Sequence, residues 1–135
     1  VSRFNSFFTE QLVKGAVDCF VRHGGKEADL TLVRVPGANE LPQVAQRLAA
    51  TGKVDAVVAL GAVIQGATPH ADLINGTVAR ALAKISLDTG VPVLNGIVCA
   101  LNLEQAIERA GTKQGNKGWD AVAAAIETVN VLKAL

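Results

Sequence analysis

Gly66-Ala67-Thr68 stands directly before Pro69-His70 and a stretch with helical apolar spacing. Free backbone N–H groups and the positive end of a helix dipole make such a place receptive to phosphate. The same triplet also fits an ordinary helix-entry turn capped by Thr68, and no Walker or Rossmann glycine pattern accompanies it. His70 falls in the first turn, where the dipole disfavours the imidazolium. It is either a neutral base working near neutral pH or an exposed turn histidine. Glu40, at the end of Pro36-Gly37-Ala38-Asn39-Glu40, either orients a polyol or amine or is a first-turn acid. Phe4, within Ser2-Arg3-Phe4-Asn5, either stacks on a flat ligand or belongs to the core. Arg109, Lys113 and Lys117 surround a polar loop with Asn116, as a second anion contact or as solvated charge. Cys99 has no basic sequence neighbour to lower its pKa and is no nucleophile on that ground. His23, beside Gly24-Gly25, reads as a helix-end residue, and no His/carboxylate spacing suggests a metal.

Alternating helix and strand signals would carry these residues. Phe8, Leu12, Ala16, Cys19 and Phe20 predict a helix over residues 6–22, stopped by Gly24-Gly25. Residues 30–35 are rich in β-branched side chains and predict a strand that Pro36-Gly37 breaks. A second helix follows with Pro42 in its first turn, ending at Gly52. Residues 56–60 are apolar without alternation, as in a strand buried on both faces, and residues 61–69 read as a loop. Ile74, Val78, Leu82 and Ile85 mark a third helix that stops near Gly90. Residues 91–98 form another apolar strand with Pro92 at its start. Asn102 and Gln105 suggest a capping box for a short helix through Arg109. Residues 111–118 read as a polar loop before a last helix with Trp119, Val122, Ile126 and Val129.

That order fits one three-layer α/β domain over residues 1–135, with parallel strands and right-handed crossovers. The first helix alone lacks a preceding strand, so Val1-Ser2 reads as the tail of one. Ligands bind beyond the carboxyl ends of strands in such sheets, which gathers Phe4, Glu40, residues 61–70 and residues 99–102 at one edge.

Composition narrows the function. Thirteen basic and twelve acidic residues among 135 give a net charge of +1, so no broad field attracts nucleic acid or a membrane surface. No apolar run reaches the roughly 18 residues of a membrane helix, and no signal peptide is expected. Two cysteines, far apart and outside any CxxC spacing, fit a reducing cytoplasm.

Four segments together resemble the 6,7-dimethyl-8-ribityllumazine synthase family of riboflavin biosynthesis. They are Ser2-Arg3-Phe4-Asn5, the run from Val35 to Pro42, Gly66-Ala67-Thr68-Pro69-His70, and residues 104–113 with Gly115-Asn116-Lys117-Gly118. The resemblance implies a flavodoxin-like subunit that assembles as a pentamer, in many members as a 60-subunit shell. It implies a transferase without cofactor or metal, acting on two small molecules. These are 5-amino-6-(D-ribitylamino)uracil and 3,4-dihydroxy-2-butanone 4-phosphate. Carried onto this chain, Phe4 stacks on the pyrimidinedione and Asn5 lies beside it. Ala38, Asn39 and Glu40 hold the ribityl chain, and the Ala62-Val63-Ile64 backbone binds the uracil edge. Gly66, Ala67 and Thr68 face the phosphate together with Arg109 of a neighbouring copy. Lys117 and position 95 of that neighbour approach the ring system, and His70 moves protons.

Some positions depart from the family pattern. Asn95 stands where an aromatic residue commonly closes over the ring. Ala71 and Leu73 follow the histidine where aromatics are common, Gln65 replaces a frequent arginine, and Cys99-Ala100 falls where threonines are common. Asn75-Gly76 puts weak helix formers inside the third helix, about 1 kcal/mol for the glycine. With no methionine in the sequence, this clustering reads as a rebuilt pocket or surface, natural or engineered. The alternative function is accordingly an assembling scaffold with an altered, weakly active or inactive pocket.

Overall fold

The computed structural model describes residues 1–66, 69–111 and 115–135. Its helices are α1 (Ser6–Arg22), α2 (Leu41–Ala50), α3 (His70–Thr89), α4 (Leu103–Arg109) and α5 (Lys117–Ala134). Two strands, β1 (Val57–Ile64) and β2 (Val93–Ala100), pair in parallel from Val57 opposite Val93 to Ile64 opposite Ala100. The fold class is α/β, as the alternation predicts.

Three layers follow from where each apolar stripe is buried. Helices α1 and α5 pack on each other and on one face of the strands, while α2 and α3 cover the other face. Leu12, Cys19, Leu60, Val98 and Val122 belong to the first core; Leu41, Ala45, Ala59, Val78, Leu82 and Ile97 belong to the second. Residues of one strand thus feed both cores, which is why the strand sequences are apolar without alternation.

Residues 30–35 depart from the expected strand. They form no ladder: sheet pairing is confined to a parallel bridge between Val35 and Ser2. Ser2 N–H donates to Leu60 O at 2.9 Å, Val35 N–H to Val1 O at 2.9 Å and Arg3 N–H to Val35 O at 2.8 Å. Residues 1–3 therefore lie between this segment and β1, and a ladder forms only where they reach. An apolar groove of about 640 Å³ adjoins them, with Leu30, Leu32, Phe20, Val58 and Ile126 in its lining.

Three boundaries also move. β1 continues through Gly61 to Ile64, into the expected loop, because a bare glycine fits against Ser2: a Cβ there would stand 2.8 Å from Ser2 Oγ. β2 is shifted towards Ala100, with its pairing set by β1 rather than by Pro92. α5 begins at Lys117, inside the expected loop, because Asn116 caps it by accepting from Trp119 N–H. Half of the predicted capping box of α4 is present, with Asn102 Oδ1 accepting from Gln105 N–H at 2.9 Å, while Gln105 Oε1 accepts from Leu101 N–H at 2.9 Å, one residue before the cap. Among the described residues no helix is long and apolar enough to cross a membrane.

Candidate active site

The carboxyl end of β1 organises one group of side chains. Ser2-Arg3-Phe4 runs alongside it, and Phe4 N–H donates to Pro36 O at 3.0 Å. The Phe4 ring lies against Gly37, where a Cβ would come within 2.9 Å of its Cδ2. At 71% exposure the ring is not part of the core. Asn5 takes the left-handed conformation (φ 61°), which asparagine tolerates better than most residues. From there its Nδ2 donates to Ala62 O at 2.7 Å, pinning the start of α1 to β1.

Residues Ala38–Glu40 form a single 3-10 turn that packs against β1 and α3. Glu40 Oε2 accepts from Gly37 N–H at 3.1 Å and would lie 3.2 Å from a Cβ at that glycine. The turn thus holds the Glu40 carboxylate beside the exposed Phe4 ring. Asn39 and Glu40 are exposed and Ala38 is half-buried. Ala62 is buried, Val63 and Ile64 are half-buried, and Gln65 N–H donates to Ala100 O at 2.8 Å where the ladder ends. Gly66 and His70 are exposed, with His70 the first residue of α3. Phe4, Asn5, Ala38, Asn39, Glu40 and residues 62–64 therefore share one edge, and the helix that His70 opens packs on the Ala38–Glu40 turn. Ala67, Thr68 and Lys113 lie outside the described residues.

The remaining candidates stand elsewhere. Asn95 is opposite Ala59, five residues or about 16 Å of strand before Ala100. It is exposed, and its Oδ1 accepts from Ile97 N–H at 3.0 Å. Arg109 closes α4, half-buried, and its Nη1 reaches back to Gln105 O at 3.5 Å. Lys117 opens α5, also half-buried. Its charge is felt at Cys99, where burial pushes the thiol pKa up and Lys117 partly opposes that. No hydrogen bond or ion pair among the described residues joins Asn95, Arg109 or Lys117 to Phe4 or Glu40. The candidates are thus carried by two sets of elements, the carboxyl end of β1 with its flanking turns and the α4–α5 junction. Large apolar side chains lie open as well, including Phe7 at 73% and Leu73 at 67% exposure.

Sequence reasoning treats Asn116 as one polar member of a loop; its structural role was missed. Its Nδ2 donates to Gln11 O at 2.9 Å and to Ala110 O at 3.4 Å, while its Oδ1 accepts from Trp119 N–H at 3.1 Å. The overlooked signal is Gly15, a glycine inside α1, where a Cβ would overlap the Asn116 carboxamide.

The comparisons with known proteins concern nearly the full chain. A family model described as 6,7-dimethyl-8-ribityllumazine synthase matches residues 1–133. A protein of that name from Chlorobium phaeovibrioides is 54% identical over 135 residues, covering 100% of this chain and 87% of the relative. One from Chlorobium limicola is 54% identical over 133 residues, covering 98% and 86%. One from Prosthecochloris aestuarii is 56% identical over 131 residues, covering 97% and 84%.

Proposed function

The chain belongs to the 6,7-dimethyl-8-ribityllumazine synthase family, and we propose that it performs the reaction of that name. It is a transferase that condenses 5-amino-6-(D-ribitylamino)uracil with 3,4-dihydroxy-2-butanone 4-phosphate, releasing phosphate and water. The observation that carries this reading is identity of 54% across the full chain to a relative of that name.

The site geometry supports a division of labour. Phe4, with its ring open to solvent above Gly37, stacks on the pyrimidinedione. The backbone of residues 62–64 meets the uracil edge, with Asn5 beside it. Ala38, Asn39 and Glu40 line the ribityl chain, and the carboxylate accepts from its hydroxyls. His70 transfers protons during imine formation and phosphate elimination. Gly66, Ala67 and Thr68, which precede α3 in the sequence, receive the phosphate. Both substrates are reactive on their own, so orientation and proton transfer suffice and no cofactor is called for.

Arg109, Lys117 and Asn95 complete a neighbour's site: Arg109 pairs with the phosphate, and the other two approach the ring system. Exposed Phe7, Leu73, Leu101 and Leu103 supply apolar surface that a second copy would cover. The assembly is a cyclic pentamer of single-domain subunits, open to further association into a 60-subunit shell. Two free cysteines suit a reducing compartment, and we place the enzyme in the cytoplasm.

Mixing both substrates with purified protein and following lumazine absorbance tests the reading. A rate well above the spontaneous condensation, saturating in both substrates, is expected. A rate equal to the spontaneous background at saturating substrate overturns it.

A further inference from the structure

We infer that Asn116 is a positioning residue, setting the direction of Arg109 and Lys117 through a three-bond clamp that an empty Gly15 makes room for. This rests on the placement of those two cations at a neighbour's site.

The cations are not anchored by their own charged ends. Among the described residues Arg109 makes one long bond, 3.5 Å from Nη1 to Gln105 O, and the Lys117 ammonium has no hydrogen bond or ion pair. Their aim must come from the backbone that carries them. Arg109 directly precedes Ala110, and Lys117 directly follows Asn116; Ala110 and Asn116 pair as an antiparallel bridge.

The Asn116 carboxamide fixes both ends of that junction. Its two N–H bonds go to Gln11 O on α1 and to Ala110 O, and its oxygen takes Trp119 N–H, the second residue after Lys117. Asparagine alone among common caps offers this set, since aspartate has no donor and serine has no second arm. The packing is built around it. A Cβ at Gly15 would overlap the carboxamide, and one at Gly118 would overlap Leu12 O. Glycine weakens a helix interior relative to alanine, so α1 gives up propensity at Gly15 to let α5 approach this closely.

Two substitutions separate positioning from bulk stability. Asn116→Asp keeps the cap of α5 but turns a carboxylate towards two carbonyl oxygens. Gly15→Ala leaves residues 109, 116 and 117 unaltered in type and displaces the Asn116 carboxamide by its methyl group alone. Each variant should raise KM for the phosphorylated ketone about tenfold, with kcat within about twofold. Inhibition by inorganic phosphate should weaken in parallel. A merely structural role would lower the melting temperature and leave KM of the folded enzyme unchanged. Wild-type KM in whichever variant folds overturns the inference while the enzyme reading stands. If the unsubstituted protein shows no turnover, that reading fails instead. Calorimetric binding of inorganic phosphate to wild type and Gly15→Ala then decides the clamp, and equal binding or none overturns it.

Discussion

His70 opens α3 with its ring in solvent, and in the proposed reaction it has only protons to move. His70→Asn should lower kcat by about a hundredfold with little change in either KM. Steady-state kinetics check this, and an unchanged kcat would return His70 to an ordinary turn residue. Arg109→Lys keeps the charge but loses the planar fork, so KM for the phosphorylated ketone should rise while that for the pyrimidine holds. The cysteines report on their surroundings. Burial pushes the pKa of Cys19 up, helped by Asp120 and Asp18, and burial also raises that of Cys99 against the pull of Lys117. Lys117→Gln should therefore move alkylation of Cys99 to higher pH. Cys19 lies in the core and should react only on unfolding. Both shifts disfavour the folded thiolates. Their contribution to stability is full below the ordinary thiol range and is lost as pH rises through the folded values.

Helix α3 runs unbroken through Asn75-Gly76, and this gives a stability test confined to one element. A Cβ at Gly76 would meet the flexible Arg80 guanidinium at 3.5 and 3.9 Å, ordinary contacts. Gly76→Ala should stabilise the fold by about 0.5–1 kcal/mol, read from urea denaturation with an unchanged slope. The apolar spacing that predicts α1 is the stripe the structure buries, from Phe8 through Leu12 to Cys19. Such periodicity survives in sequence because each turn of the helix meets the same core. Strand limits are less legible, since they depend on partners distant in sequence. Gly61 reads as a break, yet it is a close approach to Ser2 that lets β1 continue. Residues 30–35 have strand composition, yet pairing extends only as far as residues 1–3 run beside them. The exposed Phe4 ring and the Asn5 bond to Ala62 depend on tertiary placement, which residue types alone left open.

At the scale of the molecule, the candidate groups are carried by two sets of elements, with no hydrogen bond or ion pair among the described residues between Arg109 or Lys117 and Phe4 or Glu40. Phe4, Glu40 and residues 62–64 share the carboxyl edge of β1, while Arg109 and Lys117 sit where α4 ends and α5 begins. A cyclic assembly joins one face of each copy to the other face of the next, because head-to-tail contacts that close make a ring. The proposed site is then a property of the ring rather than of the subunit. Complementation between two crippled variants tests this most directly. His70→Asn and Arg109→Ala should each be nearly inactive alone. Co-refolded in equal amounts, they should recover about a quarter of wild-type turnover, since random neighbours pair two sound halves in that share of sites. Mixed rings with no more activity than the two separate variants would contradict a site built from two copies.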